Sequence, residues 1–349
     1  MQAVVLVGGE GTRLRPLTLT QPKPAVPLVD RPLIRYMIEW LGRHGVTEVI
    51  MACGFRADDL RVALGDEVPG GPSIRYLQED QPLGTAGPLR LAVDRGLLAD
   101  RFMVLNGDVL TDIDLTALQG QHSETAAVTT LALYPVDDPS SYGLVRRDPQ
   151  TREVLGFLEK PDPGEIDTDE INAGAYVVER PVLDLIPSGR AVSIEREVFP
   201  RLVGHGLYGR RLEGYWMDIG TPGRYLQASW DILEGAVETE HEGGGPFLAA
   251  GAEVAADAVV APRAVVCERS VVGARAAIAE SVLLDGCRIG AGARVQGSIL
   301  APEVEVGERA TLAPGAVVGR GARIEAGVEL PADARVQPDD VVEAEVTAA

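Results

Sequence analysis

A glycine-rich turn near the start of the chain has the residue types that bind a run of phosphates. The string 8–13 (GGEGTR) follows an apolar segment, so its backbone N–H groups can approach phosphate oxygens closely. It is not a dinucleotide fingerprint, because Leu14 stands where a third glycine would be. It is not a P-loop either, because no Gly-Lys-Ser/Thr follows. Arg13 and Lys23 add two cations suited to several phosphates at once.

Lysine is so rare in this chain that its positions are informative. Of 32 basic residues, only Lys23 and Lys160 are lysine, and the others are arginine. Lysine is a compact point charge, whereas arginine carries a wide planar fork. We therefore expect these two positions to reject the fork sterically. The alternative is a genomic preference for arginine that left two lysines by accident.

The first 235 residues must position these cations, and their pattern is typical of an α/β fold. Apolar runs bounded by glycines alternate with segments of helical spacing. This alternation predicts a Rossmann-like, mostly parallel sheet with helices on both faces and ligands beyond the carboxyl ends of the strands. Strands are predicted at 3–7, 48–52, 74–77 and 102–105, and helices at 32–45, 58–64 and 86–98.

The rest of the chain follows a six-residue repeat. An acidic, glycine-rich linker at 237–246 precedes the repeats of 247–338, and an acidic tail at 339–349 follows them. A period of six predicts a left-handed parallel β-helix, in which every sixth side chain points inward and three such positions complete a coil. The predicted inward residues are Val254, Val260, Val266, Val272, Ile278, Leu284, Ile289, Val295, Leu300, Val306, Leu312, Val318, Ile324, Leu330 and Val336.

Composition excludes several classes of protein. A net charge of -20 argues against a nucleic-acid-binding surface, which needs a basic stripe. No apolar run approaches the roughly 18–20 residues of a membrane span, and the N-terminus lacks the basic start of a signal peptide. Cys53, Cys267 and Cys287 are far apart in apolar surroundings, which favours a reduced, cytoplasmic protein without a disulfide framework or a zinc site.

The glycine-rich string and Pro22-Lys23-Pro24 resemble the signature of the sugar-1-phosphate nucleotidylyltransferases, or nucleotide-sugar pyrophosphorylases. Such enzymes often carry a C-terminal hexapeptide β-helix. The resemblance spans nearly the whole chain and implies a catalytic domain at 1–236, in which a sugar-1-phosphate oxygen attacks the α-phosphorus of a nucleoside triphosphate and pyrophosphate leaves. Further family motifs occur in order at 82–87 (PLGTAG), 105–108 (LNGD), 142–143 (YG), 157–161 (FLEKP), 172–174 (NAG) and 216–221 (WMDIGT).

The resemblance also implies a role for each matched residue. Arg13 and Lys23 would hold the triphosphate and stabilise charge on the departing pyrophosphate. Asp108 and Asp218 would bind Mg²⁺, which suits hard carboxylate oxygens. Lys160 would bind the phosphate of the incoming sugar. The nucleotide would contact Leu6, Gly8, Gly9, Gly11, Thr12, Glu79, Gly84 and Thr85. The sugar hydroxyls would contact Gly143, Glu159, Asn172 and Gly174.

Glu79 is the residue predicted to select the base. By the family's pattern it addresses the base edge, where relatives that use thymidine nucleotides tend to carry glutamine. A carboxylate is acceptor-only, which suits the adjacent N1–H and N2 amine of guanine. GTP is therefore favoured, as it is by the similarity of PLGTAG to the corresponding run of mannose-1-phosphate guanylyltransferases. Mannose as the sugar rests on this similarity alone, and dTTP, UTP or ATP with glucose or heptose 1-phosphate stays an alternative.

Two other functions fit parts of the sequence. Hexapeptide β-helices also form acyltransferases, but those usually need a catalytic histidine, and all four histidines precede the repeats. A regulatory subunit that binds nucleotide-sugar without turnover would be expected to have lost Arg13, Lys23, Asp108 or Asp218, and all four are present. The β-helix is expected to serve as an oligomerisation or allosteric platform, which gives a homo-oligomer.

Overall fold

The structure, a computed structural model, describes residues 1–54, 56–65, 67–139, 142–159, 164, 166–241 and 243–343. It divides into two compact units, which are described one at a time. The first unit joins Met1–Gly9 to Met37–Trp216, and the second joins Glu10–Tyr36 to Met217–Ala349. None of the helices in the described ranges has the length and apolarity that a bilayer crossing requires.

The first 235 residues contain the helices and strands of an α/β fold. The helices are α1 (Leu17–Thr20), α2 (Leu33–Arg43), α3 (Ala57–Leu64), α4 (Gly87–Asp94), α5 (Leu115–Glu124), α6 (Phe199–Leu202) and α7 (Pro222–Leu233). The strands are β1 (Gln2–Leu6), β2 (Pro27–Leu28), β3 (Arg31–Pro32), β4 (Glu48–Cys53), β5 (Ser73–Gln78), β6 (Arg101–Asn106), β7 (Val109–Thr111), β8 (Thr129–Pro135), β9 (Gly143–Arg147), β10 (Val154–Glu159), β11 (Glu170–Glu179), β12 (Leu207–Arg211) and β13 (Trp216–Asp218).

The first unit is built on a nine-stranded sheet in the order β10-β9-β11-β6-β1-β4-β5, and β8 pairs with β11 and β12. β6, β1, β4 and β5 run parallel, so their carboxyl ends share one edge. Val4, Ile50 and Val104 in these strands are completely buried, as expected for strands covered on both faces. The four predicted strands and the Rossmann-like fold are confirmed.

The other side of this sheet is mainly antiparallel. β11 pairs antiparallel with β6, β8 and β9, and β10 pairs antiparallel with β9. The sheet is therefore mixed rather than uniformly parallel. β11 can run against β6 because antiparallel strands pair through the same backbone N–H and C=O groups, slightly more stably per residue than parallel ones.

Helix α4 is shorter than predicted. It ends at Asp94 rather than at residue 98, because Gly96 adopts a φ of +66° and breaks the helical path. The N–H groups of Gly96 and Leu97 then donate to the carbonyls of Val93 (2.8 Å) and Ala92 (2.9 Å), which satisfies the end of the helix.

In the second unit, the repeats form three parallel sheets of six, six and five strands, in which each strand pairs with the third one after it. This is the architecture of a three-sided β-helix and confirms that prediction, while its left-handed sense stays a prediction. The strands are β14 (Phe247–Leu248), β15 (Glu253–Val254), β16 (Val259–Val260), β17 (Val265–Val266), β18 (Val271–Val272), β19 (Ala277–Ala279), β20 (Val282–Leu283), β21 (Arg288–Ile289), β22 (Arg294–Gln296), β23 (Ile299–Leu300), β24 (Glu305–Val306), β25 (Thr311–Leu312), β26 (Val317–Val318), β27 (Arg323–Ile324), β28 (Glu329–Leu330), β29 (Arg335–Val336) and β30 (Val341–Val342).

One predicted inward residue is wrong. Leu283, not Leu284, pairs with Val266 in the coil before and Leu300 in the coil after, which places it in the ladder of inward residues. The step from Ile278 to Leu283 is five residues, because the corner between the two strands is one residue short. Leu284 is nevertheless completely buried.

Candidate functional site

The carboxyl edge of the parallel strands brings several predicted nucleotide residues of the first unit together. Leu6 ends β1 and pairs with Ala52 of β4 and Asn106 of β6. Gly8 follows it, and a Cβ there would lie 3.1 Å from Oε1 of Glu79. Gly9 has open space around the position of a Cβ. A ligand can therefore approach the backbone of Gly9 without meeting a side chain of the turn.

Glu79 follows β5 at this edge and is 8% exposed. Its Oε2 accepts a 2.9 Å hydrogen bond from the N–H of Leu83, which closes the loop after β5. Burial raises the pKa of the Glu79 carboxyl above its ordinary value of 4.5, and the Leu83 N–H offsets part of this effect. The carboxylate thus has one oxygen held by the loop and the other directed toward Gly8.

The predicted nucleotide loop at 83–86 packs against residues 192–195, for which the sequence predicted no role. A Cβ at Gly84 would lie 2.5 Å from the carbonyl oxygen of Val192, and its φ is +72°, so only glycine fits. The Thr85 hydroxyl donates to Oε2 of Glu195 at 2.7 Å and accepts from the N–H of Ile194 at 2.8 Å. The Thr85 side chain is therefore engaged within the protein.

Asp108 lies in the turn after β6. Gly107 donates its N–H to the carbonyl of Leu6 at 3.0 Å, and a Cβ on it would lie 2.4 Å from the side chain of Val7. Glycine is required because this turn packs directly on the end of β1. The contact fixes the backbone that presents the half-buried Asp108 at the same edge as Gly8.

The predicted sugar residues in the described ranges lie on β9, β10 and β11 of the same unit. The register of β11 shifts between Asn172 and Tyr176, and Gly174 adopts a φ of +73° in this bulge. The Oδ1 of Asn172 accepts from the N–H of Gly174 at 3.0 Å, while its Nδ2 donates to the Tyr176 hydroxyl at 2.9 Å. Gly143 is the first residue of β9. Lys160 and the side chain of Glu159 lie outside the described residues.

An aromatic cluster beside this bulge was missed by the sequence reasoning. Trp216 stacks on Tyr134 at 5.7 Å between ring centroids and meets Tyr142 edge-on at 6.0 Å. Its indole N–H donates to the carbonyl of Ala173 at 2.9 Å, which ties the cluster to the bulge. Tyr142 and Trp216 stand in the motifs at 142–143 and 216–221 but were given no role there, and Tyr134 stands in no motif.

The second unit contains the remaining predicted phosphate residues. Gly11 adopts a φ of +63°, and Thr12 and Arg13 follow in a single 3₁₀ turn. A Cβ at Gly11 would lie 3.0 Å from Cβ and 3.5 Å from Cδ of Lys23, so the stem of this lysine packs against the turn. Lys23 is 8% exposed, whereas the Arg13 side chain is 65% exposed. The two predicted cations therefore differ strongly in how much space surrounds them.

Asp218 is in the same unit, at the end of β13. One of its oxygens lies 4.0 Å from Nη2 of Arg13. A Cβ at Gly220 would lie 2.5 Å from Arg13 Nη2 and 3.1 Å from Asp218 Oδ1, so this glycine lies directly beside the pair. The arrangement places a carboxylate, which can bind a cation, beside a guanidinium, which can bind a phosphate.

The chemistry of the two predicted metal ligands fits a hard divalent cation. Asp108 and Asp218 both offer carboxylate oxygens, the ligands that hard cations such as Mg²⁺ prefer. Neither offers the sulfur or imidazole nitrogen that softer metals select. Within the described ranges, no group of three or more His, Cys, Asp or Glu residues has a metal-binding arrangement. A metal ion bound by either carboxylate would therefore need further ligands, such as substrate phosphates or water, as is usual for Mg²⁺.

Comparison with known proteins gives matches to both parts of the chain. The sequence profile of the family described as nucleotidyl transferase matches residues 2–235, and that described as the GMPPB C-terminal domain matches residues 244–348. Nucleotidyl transferases of this kind typically use a divalent metal ion.

Similar curated proteins come from bacteria, fungi and plants. A mannose-1-phosphate guanylyltransferase of Mycobacterium tuberculosis is 42% identical over 238 residues, which are 67% of this chain and 65% of the relative. A mannose-1-phosphate guanyltransferase of Candida albicans is 43% identical over 66% of this chain and 64% of its own. A probable mannose-1-phosphate guanylyltransferase of Oryza sativa is 44% identical over 65% and 63%. The chain thus matches slightly less than two thirds of the length of each.

Proposed function

Since the chain belongs to the nucleotidyl transferase family, we propose that it transfers the GMP group of GTP to mannose 1-phosphate, giving GDP-mannose and pyrophosphate. The observation that carries this proposal is the 42–44% identity to mannose-1-phosphate guanylyltransferases of three distant groups of organisms. The match of the repeats to the GMPPB C-terminal domain supports it independently.

In the proposed reaction a phosphate oxygen of mannose 1-phosphate attacks the α-phosphorus of GTP, and the bond from that phosphorus to the bridging oxygen breaks as pyrophosphate leaves. The protein needs to align the two substrates and neutralise charge, with no covalent intermediate. Backbone N–H groups at Gly8, Gly9, Gly11 and Thr12 bind phosphate oxygens. Arg13 and Lys23 stabilise charge on the departing pyrophosphate.

The remaining predicted residues bind the ends of the two substrates. Leu6, Gly84 and Thr85 line the nucleoside side, where Thr85 acts by holding the loop rather than by offering its hydroxyl proton. Lys160 binds the sugar phosphate. The sugar hydroxyls are held by Gly143, Glu159, Asn172 and Gly174.

We propose Mg²⁺ as the metal ion. Asp108 and Asp218 would hold it, and it would supply charge neutralisation on the phosphate oxygens. Nη2 of Arg13 lies 4.0 Å from Asp218 within the second unit, so a cation held by this carboxylate would have a guanidinium beside it for the phosphate oxygens.

Glu79 selects guanine in this proposal, and Glu79→Gln is expected to weaken the preference for GTP. Glutamine offers one acceptor and one donor, so it cannot accept from both N1–H and N2. A charge-assisted hydrogen bond is worth about 1.5–3 kcal/mol, so kcat/KM for GTP should fall about 10–100-fold relative to UTP or dTTP. The neighbouring exposed carboxylate variant Asp80→Asn is the control. An unchanged ranking of the four nucleotides in the Gln variant would refute the role of Glu79.

The same role gives a pH dependence with a definite sign. Burial raises the pKa of Glu79, and only the ionised form accepts both guanine protons. The kcat/KM for GTP should therefore fall as the pH drops through the pKa of this residue in the free enzyme. In the Glu79→Gln variant, kcat/KM for GTP should not show this fall at low pH.

We propose that the protein assembles into a homo-oligomer through its β-helix. Leu248, the inward residue of the first coil, is 47% exposed, whereas Val266 in the next coil is completely buried. An apolar end of this kind is stabilised when another subunit covers it. Leu248→Glu should lower the particle mass measured by light scattering, and Val62→Glu, at an 88% exposed residue of α3, should not. A monomeric wild type, or an unchanged mass in Leu248→Glu, would contradict this.

A cytoplasmic location is also part of the proposal. Cys53, Cys267 and Cys287 are buried free thiols, which suits a reducing compartment where nucleoside triphosphates are available.

The experiment that tests the proposed activity is identification of the product. The protein is incubated with Mg²⁺, mannose 1-phosphate and equal amounts of the four nucleoside triphosphates, and the nucleotide-sugars formed are resolved by mass spectrometry. GDP-mannose is expected to dominate. Predominance of another nucleotide-sugar would overturn the choice of GTP.

A further inference from the structure

Residues 192–199 of the first unit, here called the bridging segment, contact both the predicted nucleotide loop and the predicted sugar side. At one end, the N–H of Val192 donates to the carbonyl of Leu83 at 3.0 Å, and the N–H of Ala86 donates to the carbonyl of Val192 at 2.9 Å. At the other end, the ring of Phe199 meets that of Tyr176 edge-on at 4.9 Å. One short segment is thus packed on both sides of the unit's substrate-binding edge.

Glu195 is the polar residue at the centre of the bridging segment. Its Oε2 accepts from the hydroxyls of Thr85 at 2.7 Å and Ser193 at 2.8 Å. The Thr85 oxygen in turn accepts from the N–H of Ile194. The orientation of Thr85, and with it the loop that contains Gly84, therefore depends on this carboxylate.

The charge of Glu195 also acts on the sugar side. The Tyr176 side chain is completely buried, and its hydroxyl oxygen accepts from Nδ2 of Asn172. Burial first, and the nearby Glu195 carboxylate second, raise the pKa of this phenol, so it stays protonated. A negative charge draws the O–H dipole toward itself and leaves the oxygen lone pair for Asn172. The Asn172 amide is then fixed, because its Oδ1 must accept from Gly174.

We propose that Glu195 is a positioning residue that couples the nucleotide loop to the sugar-binding bulge. Its hydrogen bond to Thr85 holds the loop, and its segment supports Tyr176 and therefore the Asn172 amide. The inference rests on the proposed function for the identity of the two substrates, whereas the coupling itself rests on contacts within the first unit.

The test separates the two effects by comparing KM values for the two substrates. Glu195→Ala should raise both KM values about tenfold, a loss of about 1.4 kcal/mol of binding in each case. Glu195→Gln keeps a carbonyl for the Thr85 hydroxyl but removes the charge, so it should raise mainly the KM for mannose 1-phosphate. Thr85→Val should raise only the KM for GTP, and Tyr176→Phe only that for mannose 1-phosphate. Glu124→Ala, at a side chain 66% exposed, is the control.

Hydrogen exchange of the ligand-free protein decides the inference independently of activity. Glu195→Ala should speed exchange at the N–H groups of both Ala86 and Gly174, whereas Thr85→Val should affect only the former and Tyr176→Phe only the latter. Faster exchange confined to the bridging segment, or KM values within twofold of wild type, would overturn the coupling. Absence of wild-type turnover with GTP and mannose 1-phosphate would refute the proposed function, and exchange would still decide the role of Glu195.

Discussion

Lys23→Arg is expected to lower kcat by about 10²–10³-fold, the usual effect of losing one preorganised donor to a developing charge. The stem of Lys23 packs against Gly11, with 3.0 Å between its Cβ and the place of a Cβ on that glycine. The residue is 8% exposed, so the wider guanidinium would have to displace neighbouring atoms at this position. The variant keeps the positive charge, so the expected loss of kcat comes from the different shape of the arginine side chain.

The measurement is steady-state pyrophosphate release, together with a thermal unfolding midpoint to show that the variant is folded. Arg320→Lys, at an exposed residue of the β-helix, is the matched control for exchanging the two cations. Near-normal turnover of Lys23→Arg would show that the rarity of lysine in this chain has no bearing on the site. The same exchange at Lys160 makes the same prediction for the sugar phosphate, at a residue outside the described ranges.

Asp218→Asn is expected to lower kcat by about 10²-fold or more and to shift the Mg²⁺ dependence of the rate to higher concentration. The neutral amide is a weaker ligand for a hard cation and no longer balances Arg13, which lies 4.0 Å away. A higher Mg²⁺ concentration should restore part of the rate, because the ion can then bind through the remaining ligands.

The rate is measured as a Mg²⁺ titration of wild type and variant at saturating substrates. Asp285→Asn changes a 42% exposed carboxylate of the β-helix in the same way and should leave the titration unchanged. An Asp218→Asn titration that coincides with that of wild type would remove Asp218 from the metal site.

The parallel half of the first unit could be predicted from sequence because its strands are unbroken apolar runs. The predicted strand at 48–52 differs from β4, Glu48–Cys53, by a single residue. The antiparallel half was not predicted, because the direction of β11 is set by pairing with β6 and β8, which lie far from it in sequence. Local propensity carries no information about such pairings.

The glycines of the candidate site could be predicted as turn residues, but the reasons for them could not. Gly84 is required by the carbonyl of Val192, a contact between residues more than a hundred positions apart. The contact of Glu195 with the nucleotide loop was not predicted for the same reason, since its partner Thr85 is 110 residues away in sequence. Motifs locate the residues predicted to contact substrate, whereas the residues that hold them in place are defined by tertiary packing.

The grouping of residues 10–36 with the second unit was also not predicted from the sequence. Residues 10–36, which carry Arg13 and Lys23, group with the repeats rather than with the sheet that precedes them. Arg31 pairs with Glu240 of the linker at 3.1 Å, and the Cys267 thiol donates to the carbonyl of Val29 at 3.5 Å. The linker and the first coils therefore support the hairpin that follows Lys23, which a division into consecutive domains does not anticipate.

One pyrophosphate-release assay tests the proposed activity, with wild type and Asp108→Asn compared across four nucleoside triphosphates and several sugar 1-phosphates with Mg²⁺. We expect the highest kcat/KM for GTP with mannose 1-phosphate and a loss of about 10²-fold or more in the variant. Preference for dTTP or ATP over GTP, or equal rates in wild type and variant, would contradict the proposed activity.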